Sequence, residues 1–392
     1  MSDQLKFLVL ATGQPSKHLI KAIQKRGHTY EHHQPDNLYM YVSEVESGHD
    51  RIYDGRIDLE QPVRLKAKTY DAVISRLGSG LDYGATILQH LTENLDIYCP
   101  QTADGLLFAR NKMRTSQRLS SEGIKVPLTV FAKNPVHVQF LIDKLGGLPA
   151  VGKLLSGSQG QGVMIFKDAE QTNTSLESFW KLQVDILLQR YIDSNKTDVR
   201  AIVVGDKISV AMERTGNKDF RANISQGGSG RKVTLSDQQK DLCIRAAKAL
   251  RLEFAGVDLI KDKEGKSYIV EVNGNPGTKI IDITGHNYFD DLVAHIETKV
   301  GHQDEQNDEK QEEASIKPKP YQSMQALEQS INGIATSHQV AEFKRLLSNQ
   351  NGNKLGNTSS EVHQVIQFIS SYNNQRAFPK LVSVLNKWKF KK

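Results

Sequence analysis

Apolar and polar positions along the first hundred residues separate short buried strands from amphipathic helices. Residues 6–11 (KFLVLA) form a nearly unbroken apolar run, which suits a strand buried on both faces. A turn signal, Thr12-Gly13-Gln14-Pro15, follows it, and residues 17–26 then read as a helix closed by Gly27. Residues 29–33 and 70–76 (YDAVISR) read as further strands, and 83–94 as a helix. This strand–helix rhythm predicts an open α/β domain with a parallel sheet. Residues 51–59, with Asp54-Gly55 inside, predict a hairpin excursion. The spacing next predicts a helix over 111–123, opened by Asn111 and closed by Gly123. Strands then dominate, at 150–155, 162–166, 185–191, 198–204, 207–213 and 266–272. A tight Gly205-Asp206 turn joins two of them. Helices are predicted at 236–250 and from 284 to about 300.

The pattern changes after residue 302. Residues 303–313 hold six acids and one lysine, and Lys317-Pro318-Lys319-Pro320 stiffens the chain beyond them. This reads as a solvated linker over 302–320. Helical spacings return over 321–349 and 361–390 and predict a small helical appendage at 321–392.

Composition narrows the classes. A chain of 392 residues can bury a sizeable core without staples. Two cysteines, Cys99 and Cys243, exclude a disulfide scaffold and Cys-rich zinc sites, and both read as buried apolar groups. No apolar run approaches the roughly 20 residues of a membrane-spanning helix, and the polar first six residues do not open a secretory signal. A cytoplasmic protein with no membrane partner is expected. The net charge of +6 is mostly solvated surface, except that Lys380, Lys387, Lys389, Lys391 and Lys392 cluster around Trp388 and Phe390. Nucleic acid is an expected partner only through that basic tail. The histidines show no metal spacing, and His32-His33 reads as surface.

Three segments carry chemistry. Asp258 stands on one predicted strand, and Glu271 and Asn273 stand two residues apart on the next, which puts the latter two on one face. Three hard oxygen donors there suit Mg²⁺ that bridges phosphates. The plain alternative is a hairpin with two surface acids. Lys153 precedes a loop, 156–162, with three glycines, whose backbone N–H groups can lie against phosphate oxygens. It is neither a Walker loop nor a dinucleotide fingerprint, because it joins strand to strand. Asp198, Arg200, Arg214 and the Phe220-Arg221-Ala222-Asn223 segment can converge, and guanidinium forks fit phosphates and carboxylates. Lys112 opens a helix after Asn111, a ready phosphate binder.

These motifs, in this order, with residues 70–78, Tyr83-Gly84, Asp219–Asn223, Gly227-Gly228 and 256–276, make residues 1 to about 300 resemble an ATP-grasp carboxylate–amine ligase of the RimK-like, ribosomal-protein glutamate ligase type. The resemblance implies an α/β N-terminal domain (1–108) followed by α+β ATP-grasp lobes (109–190 and 191–301), with a small all-α C-terminal appendage outside the match. It implies that Lys112 and Lys153 contact ATP phosphates beneath a cover formed by Gln159, Gly160 and Gly162. Gln189, Arg190, Tyr191 and Ile192 would line the adenine, and Asp198, Arg221, Ala222 and Asn223 would face the nucleotide. Asp258, Glu271 and Asn273 would hold Mg²⁺, or Mn²⁺ in its place. Arg214 and Arg221 would be catalytic, and Arg76 and Arg200 would touch substrate. Two departures stand out: Arg190 occupies a position where the family commonly has Glu, and Asn273-Gly274-Asn275-Pro276 lacks the two serines usual before that proline.

The implied reaction joins a carboxylate to an amine through an acyl phosphate, with glutamate the expected amine donor and a protein or peptide the expected acceptor. A small metabolite or modified peptide is the alternative within the same chemistry. Outside it stand a nucleotide-binding scaffold and an RNA- or ribosome-docking protein that use the helical tail. A homo-oligomer is compatible with the sequence.

Overall fold

The computed structural model describes residues 4–43, 51–56, 58, 60–133, 137–155, 162–216 and 228–315, with side chains as far as Gly301. The expected appendage at 321–392 lies outside them. The chain begins with β1 (Lys6–Ala11), α1 (Lys17–Lys25) and β2 (Thr29–His33). Three short strands follow, β3 (Leu38–Tyr41), β4 (Arg51–Asp54) and β5 (Val63–Arg64), and then β6 (Ala72–Arg76). β1 lies between β2 and β6 in a parallel sheet, with five of its six residues buried, as its apolar run demands. The excursion is larger than a hairpin, because β4 is the centre of an antiparallel sheet with β3 and β5. His33 is also not a surface residue. It is buried at the end of β2 with its Nδ1 2.7 Å from Asp54 Oδ2, because the excursion folds over the strand end.

Helices α2 (Leu81–Gln89), α3 (Ala103–Arg110) and α4 (Lys112–Ser121) lead out of this domain. A π-turn, His90–Asn94, extends α2 to the end foreseen for it. Asn111 caps α4, its Oδ1 accepting from the N–H groups of Met113 and Arg114. The next sheet contains β7 (Thr129–Phe131), β8 (Ala150–Leu154), β9 (Val163–Phe166) and β10 (Ile186–Arg190) in the order β7-β10-β8-β9, all antiparallel. Helices α5 (Val138–Leu145) and α6 (Ala169–Lys181) pack against it through Val138, Ile142, Leu145 and Leu176.

The largest sheet is built from β11 (Thr197–Val204), β12 (Lys207–Thr215), β13 (Ser229–Lys232), β14 (Phe254–Lys261) and β15 (Ser267–Asn273), in the antiparallel order β13-β12-β11-β14-β15. Helix α7 (Asp237–Ala249) begins with a Ser236/Gln239 capping box. α7 covers the back of the sheet, where Cys243, Ala246 and Ala247 join a core with Ala201, Val203, Val257, Leu259 and Val272. On the front, helices α8 (Lys279–Thr284) and α9 (Tyr288–Ser315) bury Ile202, Val204, Val210, Met212 and Phe254 together with β1 residues Phe7 and Val9. The Gly205-Asp206 turn is as foreseen: Gly205 has φ +57°, and an added Cβ would stand 2.6 Å from the His295 ring. The backbone of the acidic stretch expected to be a linker continues α9 to Ser315, which its run of Glu, Gln and Lys favours. No helix among the described residues is long and apolar enough to cross a membrane.

Candidate functional site

Front-facing positions alternate along β11 as Asp198, Arg200, Ile202 and Val204, so this strand is charged at one end and apolar at the other. β12 does the same in reverse, with Val210, Met212 and Arg214, and β14 runs from Phe254 through Gly256 to Asp258. Antiparallel pairing sets Asp198 directly opposite Arg214 and Arg200 directly opposite Asp258. Opposite charges on facing positions attract, and here each pair closes as a fork. Arg214 donates from Nε and Nη2 to Asp198 at 2.6 and 2.7 Å, and its Nη2 also lies 2.9 Å from Asp258. Arg200 donates from Nε and Nη2 to Asp258 at 2.7 and 2.6 Å. The result is a continuous chain, Asp198–Arg214–Asp258–Arg200, in which Arg214 and Asp258 are each 4% exposed.

The titration of these groups follows from that geometry. Burial works to raise the Asp258 carboxyl, but the Arg200 and Arg214 guanidiniums outweigh it and hold the group well below the usual carboxylate range. At Asp198 burial wins over Arg214, helped by the Asp258 charge, and the carboxyl is raised. Burial would lower Arg214, yet Asp258 and Asp198 carry its pKa upward.

β15 pairs Glu271 opposite Asp258, with a bulge that leaves Val270 unpaired. Glu271 and Asn273 therefore share the front face beside Asp258, as period two predicted. Both are half-buried, and neither side chain has a hydrogen-bond partner among the described residues. Across from them, Lys153 on β8 donates to the Gln189 Oε1 at 2.7 Å. Burial pulls the Lys153 ammonium down to about 8, against the charge of Glu271 and with that of Lys112, and Asp258 and Asp198 also act on it. The lysine of the smaller sheet thus lies within electrostatic reach of Glu271, Asp258 and Asp198 on the larger one.

Lys112 opens α4 with its backbone N–H toward Leu155 O at 3.4 Å, which sets it beside the β8 end. Gly162 has φ +73°, and an added Cβ would collide with Leu154. Gln159, Gly160, Arg221, Ala222 and Asn223 lie outside the described residues. The Gln189 amide is occupied in holding Lys153 and in donating to Thr129 Oγ1 at 2.9 Å. Arg190 faces the other way: its Nε donates to Leu145 O at the end of α5 at 2.7 Å, and its N–H bonds Leu128 O. Tyr191 and Ile192 follow the strand, half-buried. Arg76 donates to Pro276 O at 2.8 Å, in the turn just past Asn273. Sequence reading missed Gln101 and Tyr288, which grip the same turn. Only their place across the fold marks them. Burial pushes the thiols of Cys99 and Cys243 up to about 12. No group of three or more His, Cys, Asp or Glu among the described residues could hold a metal.

A model of the RimK-like ATP-grasp domain matches residues 109–296, which takes in every one of these side chains except Arg76, Cys99 and Gln101. A probable alpha-L-glutamate ligase 2 of Shewanella sp. (strain W3-18-1) is 36% identical over 270 residues, covering 68% of this chain and 85% of the relative. The chain belongs to the RimK-like ATP-grasp family. Membership makes this RimK-like protein an ATP-dependent ligase. Solved ATP-grasp structures share its architecture. The ligase PsnB, complexed with a phosphomimetic variant of minimal precursor, Mg and ADP, superposes with a TM-score of 0.56 at 14% identity, covering 75% of this chain and 98% of PsnB. D-cycloserine synthetase DcsG superposes with a TM-score of 0.54 at 13% identity, covering 75% and 99%.

Proposed function

We propose that this RimK-like protein adds L-glutamate to the carboxylate of a protein or peptide, through an acyl phosphate made from ATP. The observation that carries the reading is that Lys153 lies within electrostatic reach of Glu271, Asp258 and Asp198, the last two being tied to Arg214 and Arg200 by ion pairs. Two facing sheets there gather cations and carboxylates in a half-buried setting, where electrostatic interactions are strong. Glutamate as the donor rests on the names of the curated relatives, and a peptide acceptor is in keeping with the precursor bound to PsnB.

The reaction asks mainly for positioning and charge stabilisation. An oxygen of the acceptor carboxylate attacks the γ-phosphorus, and the bond to the ADP oxygen breaks. The glutamate nitrogen then attacks the acyl carbon, phosphate leaves, and the amine gives up a proton to water. Lys112 and Lys153 would bind phosphate oxygens, Lys153 being held for this by Gln189. Arg214 and Arg200 would face the anionic acyl and phosphoryl oxygens, and Arg221 would join them.

The donor set fits a divalent ion. A carboxylate offers about four lone-pair positions, and three contacts from Arg200 and Arg214 leave Asp258 about one. Glu271 and Asn273 keep theirs free of other described residues. Asp258, Glu271 and Asn273 would therefore hold Mg²⁺, whose charge when bound would offset that of the phosphates.

Incubation with ATP, Mg²⁺, glutamate and a panel of peptides, read by ADP release and intact mass, tests the proposal. Increments of one glutamate residue on a peptide are expected. ADP release that depends on a small acid or another amino acid, with every peptide mass unchanged, would replace the protein-modifying reading with the metabolite one.

A further inference from the structure

The turn that follows Asn273 is gripped both from the N-terminal domain and from α9. Gln101 Nε2 donates to Gly274 O, Asn275 Nδ2 donates to Leu77 O at 2.8 Å, and Arg76 Nη2 donates to Pro276 O at 2.8 Å. From α9, the fully buried Tyr288 hydroxyl donates to Pro276 O at 3.0 Å. Packing closes the remaining freedom: a Cβ at Gly274 would collide with Leu106 on α3, and one at Gly256 would meet Pro276 at 3.0 Å. Three consecutive residues are thus fixed, Gly274 and Pro276 by the side chains of Gln101, Arg76 and Tyr288, and Asn275 by its own amide on the Leu77 carbonyl.

Arg76 is the costly member of this set. Its guanidinium stacks on Phe289 at 5.2 Å, and its Nη1 is buried without a partner. It forms no ion pair with any described residue, and burial lowers its pKa. A half-buried cation with no ion-pair partner among the described residues costs stability, so ion pairing does not account for its presence. What it does hold is a carbonyl three residues from Asn273.

We propose that Arg76, with Asn275, is a positioning residue that sets the end of β15, so that the N-terminal domain holds Asn273 in place for the divalent ion. This rests on the proposed metal role of Asp258, Glu271 and Asn273. Groups that orient metal ligands without touching the ion typically change affinity by about 10–100-fold when removed.

The test uses the full chain, ADP and Mn²⁺ as a spectroscopic probe, with free Mn²⁺ read by electron paramagnetic resonance and melting temperature read in parallel. Arg76→Met keeps the length and the contact with Phe289 but removes the donor, and Asn275→Ala removes the other bond without touching a charge. Both are expected to weaken Mn²⁺ binding in the presence of ADP by about 10–100-fold while ADP still binds without metal. Arg76→Lys, which retains one donor, is expected to recover part of the loss. Mn²⁺ affinity equal to the parent's in both Arg76→Met and Asn275→Ala overturns the inference. A parent that binds no Mn²⁺ with ADP overturns the metal reading beneath it, a separate result seen before any variant is made.

Discussion

One face of the five-stranded sheet does two unlike things. Its apolar half, Ile202, Val204, Val210, Met212 and Phe254, is sealed under α8 and α9 and the N-terminal domain. Its charged half, Asp198, Arg200, Arg214 and Asp258, is packed with opposed ions and faces Lys153. The same strands make both halves, with the same two-residue period. Burial of side chains at one end fixes the register, and the register then sets which charges oppose each other at the other end. Chemistry here is aligned by a core several residues away.

Removing single charges that touch no core separates the two halves most clearly. Glu271→Ala and Lys153→Ala are each expected to lower ADP formation by at least about 10²–10³-fold, with melting temperature near the parent's. ADP release at the parent's rate by both would remove the charged half from catalysis. In the apolar half the reverse is expected. Phe254→Ala should lower stability by about 3–5 kcal/mol in urea unfolding, with turnover per folded molecule retained.

Arg214 joins the two behaviours. Arg214→Met leaves Asp198 and Asp258 buried beside each other with only Arg200 to neutralise them, and a loss of about 3–5 kcal/mol is expected along with turnover. Unchanged stability would mean that the ion chain is held by the fold rather than holding it.

A smaller effect sharpens the electrostatics. The folded protein holds Lys153 at about 8, below the ordinary lysine value, so its ammonium form is lost as pH rises through that point. Phosphate favours the ammonium form. ADP affinity is therefore expected to fall as pH climbs past about 8, and binding at about pH 9 should take up a proton that is already present at about pH 7. Calorimetry in buffers of different ionisation heat reads this uptake directly. Lys153→Met should abolish it.

Arg190 supplies the smallest expected change. Its side chain reaches the end of α5 on the face away from Lys153, so Arg190→Glu should leave ADP affinity unchanged and cost about 0.5–1.5 kcal/mol from the lost bond to Leu145 O.

The parts of this fold legible in the sequence are those decided within a few residues. The apolar run at 6–11, the Asn111 cap, the Gly205-Asp206 turn, and the shared face of Glu271 and Asn273 all follow from local period or turn chemistry. What long-range pairing decides was hidden. β3, β4 and β5 are two to four residues long and exist only because they pair with one another across the excursion. His33 was misplaced for the same reason. The contact of the Gln189 amide with Lys153 on the neighbouring strand, 36 residues away in sequence, was hidden likewise. The forks of Arg200 and Arg214 required the register of three strands.

The bulge at Val270 also bears on how the length of this chain can drift. One residue gained or lost there is absorbed locally, since Ile269 and Val272 both still reach the back of the sheet. One residue gained within β11, between Arg200 and Ile202, would turn Asp198 and Arg200 toward α7 and strand them in oil. Descendants of this sequence are free to lengthen at hairpin tips and at the bulge, whereas the interior of β11 tolerates insertions only in pairs.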